Sequence, residues 1–167
     1  RNDVGKSSLL EAMEIFFNAS LIKLDAKDCC VHSEEKIVEI SCVFEDLPEK
    51  IVIDAEAETT LQNEYLVDVR GNLEIVKRYD CNGKTIKEEI FVRANHPNAG
   101  EIVDLLKLKN TPLKELAKKV GVAAGEVNQR SNVSLRTAIR NQVGDLALAE
   151  SLVPLKEEDG RKIWDQI

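Results

Sequence analysis

Arg1-Asn2-Asp3-Val4-Gly5-Lys6-Ser7-Ser8-Leu9-Leu10-Glu11-Ala12 is the stretch that decides how the chain is read. Its first eight residues fit G-x-x-x-x-G-K-[ST] with only the leading glycine missing, a residue that would stand immediately before Arg1. Each residue type answers a physical need. Gly5 lets the backbone turn tightly enough for successive N–H groups to point at phosphate oxygens. Lys6 brings a point charge to β and γ phosphates, Ser7 offers a hydroxyl to Mg2+, and a helix starting here adds partial positive charge beneath the anion. A bare G-K-[ST] arises by chance in roughly one chain of this length in ten, so the triplet alone decides little. The residues just after it add weight: Leu9, Leu10, Met13, Phe16 and Phe17 recur at helical spacing, with Glu11 and Glu14 off that face, and predict an amphipathic helix over 5–18. The plainer alternative is an ordinary helix start capped by a serine.

Beyond a polar connection over 25–36 the period changes to two. Val38, Ile40, Cys42 and Phe44 fall on one side of a strand and Glu39 and Ser41 on the other. Further strands are expected over 51–55, 65–69, 73–79 and 89–93. Leu47-Pro48-Glu49, Arg70-Gly71-Asn72 and Cys81-Asn82-Gly83-Lys84 are turn signals between them. Asn82-Gly83 signals a hairpin because both residues tolerate positive φ. The pattern reads as an antiparallel meander with one wet face. After Asn95-His96-Pro97-Asn98 helical periodicity returns, with helices expected over 101–109, 112–120, 134–150 and 157–166 and breaks at Pro112, Gly121 and Pro154. Thr111 is the expected N-cap ahead of a first-turn Pro112. His96 reads as a loop residue and Trp164 as a side chain packed on a partner surface or on further chain. The organisation is thus 1–24 for the loop and its helix, 25–97 for the β-layer and 98–167 for a helical subdomain, all within one domain.

A length of 167 residues with 43% hydrophobic content suits one domain, or a piece of one, with a real core. The net charge of −7 gives no global attraction to nucleic acid or to an anionic membrane. One stretch runs the other way: residues 103–140 hold eight basic side chains (Lys107, Lys109, Lys114, Lys118, Lys119, Arg130, Arg136, Arg140) against Asp104, Glu115 and Glu126. Any DNA contact is expected there. Cys29, Cys30, Cys42 and Cys81 show no disulfide framework or C-x-x-C pairing and read as reduced thiols; Cys29, Cys30 and His32 lack a second ligand pair for a metal. No stretch approaches the ~20 apolar residues of a membrane span, so no membrane partner is expected and the cytoplasm is the expected compartment.

Asn2-Asp3-Val4-Gly5-Lys6-Ser7-Ser8-Leu9-Leu10-Glu11-Ala12 resembles the G-x-N-x-x-G-K-S-x-x-L-E-A Walker A loop of the OLD, RecF and SMC branch of ABC-type ATPases. The resemblance implies that Asn2, Asp3, Gly5, Lys6, Ser7 and Ser8 hold ATP, with Ser7 as the Mg2+ ligand and Ser8 near the α phosphate. It implies an α/β fold of α+β-like order: a P-loop helix, an antiparallel β-layer flanking the nucleotide, then a helical portion, together part of an ATPase head. Leu73-Glu74-Ile75-Val76-Lys77-Arg78-Tyr79 followed by Asn82-Gly83 is similar to the strand and hairpin of that layer. The resemblance further implies heads that pair as a homodimer across ATP, and a remainder of the parent chain that in OLD-like proteins commonly carries a Toprim nuclease acting on DNA, in several cases in defence against phage.

The departures are specific. The sequence has no L-S-G-G signature, no late strand ending in paired acids and no switch histidine. Ile51-Val52-Ile53-Asp54-Ala55-Glu56 has the form of an apolar strand ending in a Mg2+-holding Asp, but it comes too early for such a head and reads as a surface strand end. Gln62, Gln129 and Gln142 are the candidates for a Q-loop glutamine. No catalytic residue is identified, and phosphoryl transfer depends on positioning and charge neutralisation, so the chain by itself is expected not to hydrolyse ATP.

A reading from another class rests on Leu116-Ala117-Lys118-Lys119-Val120-Gly121-Val122 with Val127 beyond. A small Ala, a Gly at the turn and β-branched anchors match a helix-turn-helix across 112–130. Against it, Arg130 stands where the second helix would bury an apolar side chain, and Ala123-Ala124-Gly125 opens a recognition helix poorly. Solvated lysines on a helical subdomain account for the same residues. The sequence therefore points to the ATP-binding part of an OLD- or SMC-like ATPase of DNA metabolism or phage defence, with a non-enzymatic α+β module contacting DNA or protein as the alternative.

Overall fold

A computed structural model describes residues 5–18, 21–30, 32–54, 57–98, 100–103, 105–155, 163 and 166–167, apart from the side chains of 52–54, 57 and 101. The regular elements are α1 (Lys6–Phe17), β1 (Ile37–Phe44), β2 (Ile51–Asp54), β3 (Ala57–Thr59), β4 (Leu73–Asp80), β5 (Lys87–Pro97), α2 (Asn110–Lys119), α3 (Asn132–Val143) and β6 (Leu148–Pro154), with short 3-10 turns between them. The fold is mixed α/β with an antiparallel sheet and helices. Four strands run in the order β1-β4-β5-β6, and β2 and β3 form a separate antiparallel pair in which Ile51 faces Thr59. The expected helix over 157–166, with Trp164, lies outside the described residues. Among the described residues no helix is long and apolar enough to cross a membrane.

The chain divides into two compact units, Arg1–Cys42 with Ile75–Phe91 and Val43–Glu74 with Val92–Ile167. In the first, α1 forms where Leu, Glu, Ala and Met give good helix propensity. The expected apolar face is only partly buried. Ile15 and Phe16 enter the interior, whereas Leu9 and Leu10 are each 64% exposed and Met13 and Phe17 nearly half exposed. Only the last turn of the helix reaches the core, where Ile15 packs with Leu24, Cys29, Tyr79 and Cys81. Burying each such apolar side chain is worth about 1.5–3 kcal/mol. Strand β1 keeps the expected alternation: Val38, Ile40, Cys42 and Phe44 are half-buried, and Glu39, Ser41 and Val43 are exposed. Asn82-Gly83 lies in a longer loop between β4 and β5, and neither residue adopts positive φ, so the tight hairpin turn that the pair signalled does not form.

The second unit departs from expectation in more places. No strand forms over 65–69. Instead Thr60 Oγ1 accepts from the Asn63 N–H at 2.9 Å, starting a single helical turn. That turn closes when the Leu66 N–H donates to the Leu61 carbonyl and the Tyr65 N–H to the Gln62 carbonyl, with Tyr65 left-handed at φ 57. These are the two hydrogen bonds of a Schellman stop. Asp68 Oδ1 then accepts from the Arg70 and Asn72 N–H groups, which uses the backbone in a turn. The expected helix over 101–109 is reduced to the 3-10 turns Gly100–Ile102 and Leu105–Lys107. Helix α2 begins two residues earlier than a Thr111 cap would allow: Lys109 is its N-cap, with no side-chain cap hydrogen bond. Helix α3 is capped by Ser131, whose Oγ accepts from the Ser134 N–H at 3.2 Å. It stops at Gly144 (φ 78), well short of 150, and Leu148–Pro154 becomes β6 on the sheet. The stretch 98–167 is therefore not wholly helical. Ile102, Leu105, Leu113, Ala117, Leu135 and Ile139 form the core beneath α2 and α3.

Candidate functional site

Of the residues expected to hold phosphate, Asn2 and Asp3 lie outside the described residues, and Gly5, Lys6, Ser7 and Ser8 form the start of α1, all exposed. Gly5 is the N-cap with φ 113 and ψ −24, a left-handed conformation that an L side chain enters only at a cost of about 1–2 kcal/mol. Its carbonyl accepts from the Leu9 N–H at 2.9 Å and so starts the helix directly. The first N–H groups of any α-helix have no acceptor within the helix. Among the described residues no side chain caps α1 and no acidic residue occupies its first turn. The serine cap of the plainer alternative is therefore absent: Ser7 and Ser8 are inside the helix, not before it. By contrast Ser131 caps α3 and Asp25 caps the 3-10 turn Ala26–Asp28. A left-handed glycine leading into a solvent-facing helix start is compatible with an anion held by backbone N–H groups.

The other end of α1 is held by a residue that the sequence did not single out. Lys77, on β4, donates from Nζ to the Phe16 carbonyl at 2.8 Å, satisfying a C-terminal helix carbonyl. The same ammonium lies 5.0 Å from the centre of the Phe16 ring and 3.5 Å from the Glu88 carboxylate. A cation at a helix C-terminus complements the helix dipole. The sequence placed Lys77 correctly on a strand, but its partner stands 61 positions away, a distance over which no periodicity carries information.

The remaining candidates separate. Asp54 ends β2, a two-stranded ribbon, and its side chain lies outside the described residues. Gln62 and Gln142 are exposed, and Gln129 is half-buried with its carbonyl accepting from Asn110 Nδ2 at 3.1 Å. His96 is not a loop residue but a buried member of β5, with Nδ1 2.8 Å from the Tyr65 carbonyl. Burial pushes its imidazole below the ordinary value, partly offset by the Tyr65 carbonyl. Cys29 is buried while Cys30 and His32 are exposed, and among the described residues no three metal-ligating side chains gather.

The helix-turn-helix reading loses its second helix. Ala117 is buried, Gly121 turns at φ 90, and Val122 and Val127 pack on the core as the pattern expects. Yet only the 3-10 turn Ala124–Glu126 comes next, and α3 begins at Asn132. Two of the eight basic residues also leave the surface. Arg136 Nε and Nη2 donate to Glu64 at 3.0 and 2.8 Å, and Arg140 Nη1 donates to Glu64 at 3.0 Å and to the Asn63 carbonyl at 2.7 Å. The Arg140 guanidinium also stacks over the Tyr65 ring at 5.1 Å. This buried ion triad joins α3 to the 60–66 turn. Its only trace in sequence was the four-residue spacing of Arg136 and Arg140, which puts both on one helix face.

No curated protein and no solved structure matches the chain. The sequence model of one family, described as an AAA ATPase domain, matches residues 1–167. With a glycine-led helix start where the phosphate-loop pattern falls, and a family match along the entire length, the chain belongs to the AAA ATPase domain family.

Proposed function

We propose that this chain is the ATP-binding part of an OLD- or SMC-like ATPase that acts on DNA, and that Gly5, Lys6, Ser7 and Ser8, with Asn2 and Asp3, hold the triphosphate and its Mg2+. The observation that carries the reading is the left-handed Gly5 at the head of α1, with Lys6, Ser7 and Ser8 exposed in its first turn. Backbone N–H groups of the first turn donate to phosphate oxygens, the Lys6 ammonium offsets charge on the β and γ phosphates, and the Ser7 hydroxyl is a ligand for Mg2+. ATP supplies the phosphoryl group; the chain supplies orientation and charge neutralisation. The OLD- or SMC-like assignment is supported by the Asn2 to Ala12 loop and by the β-layer after α1. Pairing of two heads across ATP and a role in DNA repair or phage defence derive from that assignment.

A fluorescent ATP analogue titrated with Mg2+ tests the site. Lys6→Ala should weaken binding at least tenfold; unchanged affinity would remove the proposal. Contact with DNA would use Lys107, Lys109, Lys118, Lys119 and Arg130, which are exposed in the second unit. Their role is charge on phosphate, not base reading by a recognition helix.

A further inference from the structure

Helix α1 is anchored at its C-terminal end. Ile15 and Phe16 are its buried side chains, whereas Gly5 to Leu10 all face solvent. At the anchored end a chain of polar contacts within the first unit ties the helix to the sheet. Lys77 Nζ, on β4, donates to the Phe16 carbonyl at 2.8 Å, lies 5.0 Å from the centre of the Phe16 ring and stands 3.5 Å from Glu88 Oε1 on β5. The Tyr79 hydroxyl donates to the same Glu88 oxygen at 3.3 Å, and Tyr79 belongs to the core that receives Ile15. The Lys77 side chain is only 13% exposed, so water competes little for its ammonium. An ammonium has three donors and no acceptor, which suits it to hold a helix carbonyl and a carboxylate at once.

We propose that Lys77 is a positioning residue for the nucleotide: by fixing the C-terminal end of α1 to β4 and β5, it sets where the first-turn N–H groups and Lys6 meet the phosphates. The inference rests on the phosphate-loop reading of Gly5 to Ser8. Leverage is the physical reason. From Phe16 back to Gly5 the helix extends about 16 Å, so a tilt of about 4° at the anchored end displaces the Gly5 backbone by about 1 Å. That displacement exceeds what a hydrogen bond tolerates, since N–H to O contacts fall between about 2.7 and 3.2 Å from nitrogen to oxygen. Lys77 thus acts through α1 and makes no contact of its own with the nucleotide. Methionine at this position keeps an unbranched stem against the Phe16 ring and loses both the carbonyl bond and the ion pair.

The test compares the whole chain as wild type, Lys77→Met, Lys77→Arg, Lys6→Ala and Ile40→Val, the last a trimming of the same core that removes none of these polar contacts. A fluorescent ATP analogue is titrated with Mg2+ at a temperature where melts show every variant folded. Affinity should fall roughly fivefold in Lys77→Met, recover to within about twofold of wild type in Lys77→Arg and stay unchanged in Ile40→Val. Amide nitrogen relaxation gives a second readout that needs no nucleotide. Order parameters at Ser8, Leu9 and Leu10 should drop from about 0.85 toward about 0.6 in Lys77→Met and hold in Lys77→Arg and Ile40→Val. Wild-type affinity or unchanged order parameters in Lys77→Met, alongside a Lys6→Ala chain that binds at least about tenfold more weakly, would overturn the positioning role and leave the phosphate loop standing. An equal loss in Ile40→Val would also overturn it, by showing general loosening of the core. Wild-type affinity in Lys6→Ala would instead remove the phosphate-loop reading, and the role of Lys77 with it.

Discussion

Glu64→Gln removes the single negative charge from a buried site that holds two guanidiniums. Glu64 and Arg136 are each 1% exposed and Arg140 is 4% exposed, so water screens none of the three. The carboxylate accepts from Arg136 at 3.0 and 2.8 Å, from Arg140 at 3.0 Å and from the Thr59 hydroxyl at 3.3 Å. Glutamine preserves the shape and one acceptor but leaves two uncompensated cations, and breaking a buried pair by removing one partner typically destabilises by about 3–5 kcal/mol. For a chain of this size that lowers the melting midpoint by roughly 10–15 °C. Thermal and urea melts followed by circular dichroism read the effect. Glu64→Leu combined with Arg136→Met and Arg140→Met should recover most of the loss, since apolar residues of similar volume replace buried ion networks without large penalty. The pH dependence has a fixed sign. Burial pushes the Glu64 carboxyl up, but the hydrogen bonds and charges of Arg136 and Arg140 outweigh it and hold the group below its ordinary value. Its stabilisation is thus complete above an unfolded pKa of about 4.3 and is lost as pH falls through the lower folded value. A Glu64→Gln chain within about 1 kcal/mol of wild type, or a triple variant that melts no higher than the single one, would refute the triad as the anchor of α3.

His96 is buried neutral with its pKa lowered, so its contribution is present above about pH 6.5 and declines as pH falls toward 5. Urea midpoints should drop between pH 7.5 and 5.5 in the wild type and stay level in His96→Gln; a level wild type would contradict this. Gly5→Ala meets no atom within 4 Å at its new Cβ, so its penalty is the backbone strain of φ 113. It should lower the melting midpoint by a few degrees and weaken ATP binding roughly five- to tenfold, about 1 kcal/mol of misplacement; equal affinity would count against Gly5 as a phosphate-loop residue. If Lys118 and Lys119 contact DNA phosphate, changing both to Ala should weaken binding equally for all sequences and lower the salt slope by about two; a sequence-dependent loss would point to base readout. Purified alone, the 167-residue chain should release no phosphate at steady state, and sustained release that Lys6→Ala abolishes would reverse that expectation.

Helix α1, strands β1 and β4 and helix α2 were legible because each repeats its own period over eight or more residues. The left-handed turn at Gly5 was legible because glycine there answers a backbone requirement that few other residues meet. Elsewhere the local signal was outvoted. Tyr65 carries strand propensity, but Thr60 and a Schellman stop put it at positive φ, and Arg140 stacks on its ring. Leu148 to Glu150 falls within a pattern that reads as helix, yet Gly144 ends α3 and β5 offers the segment a ladder.

By itself, the order of residues determined the class of fold, the glycine at the head of α1 and the elements whose hydrophobic period is long. Only the tertiary structure decided which charges are surface and which are buried, and that Lys77 closes the far end of α1. The physical reason is one of range: periodicity and turn chemistry act within a few residues, whereas Arg136 finds Glu64 across 72 positions, through a packing arrangement that no local pattern encodes.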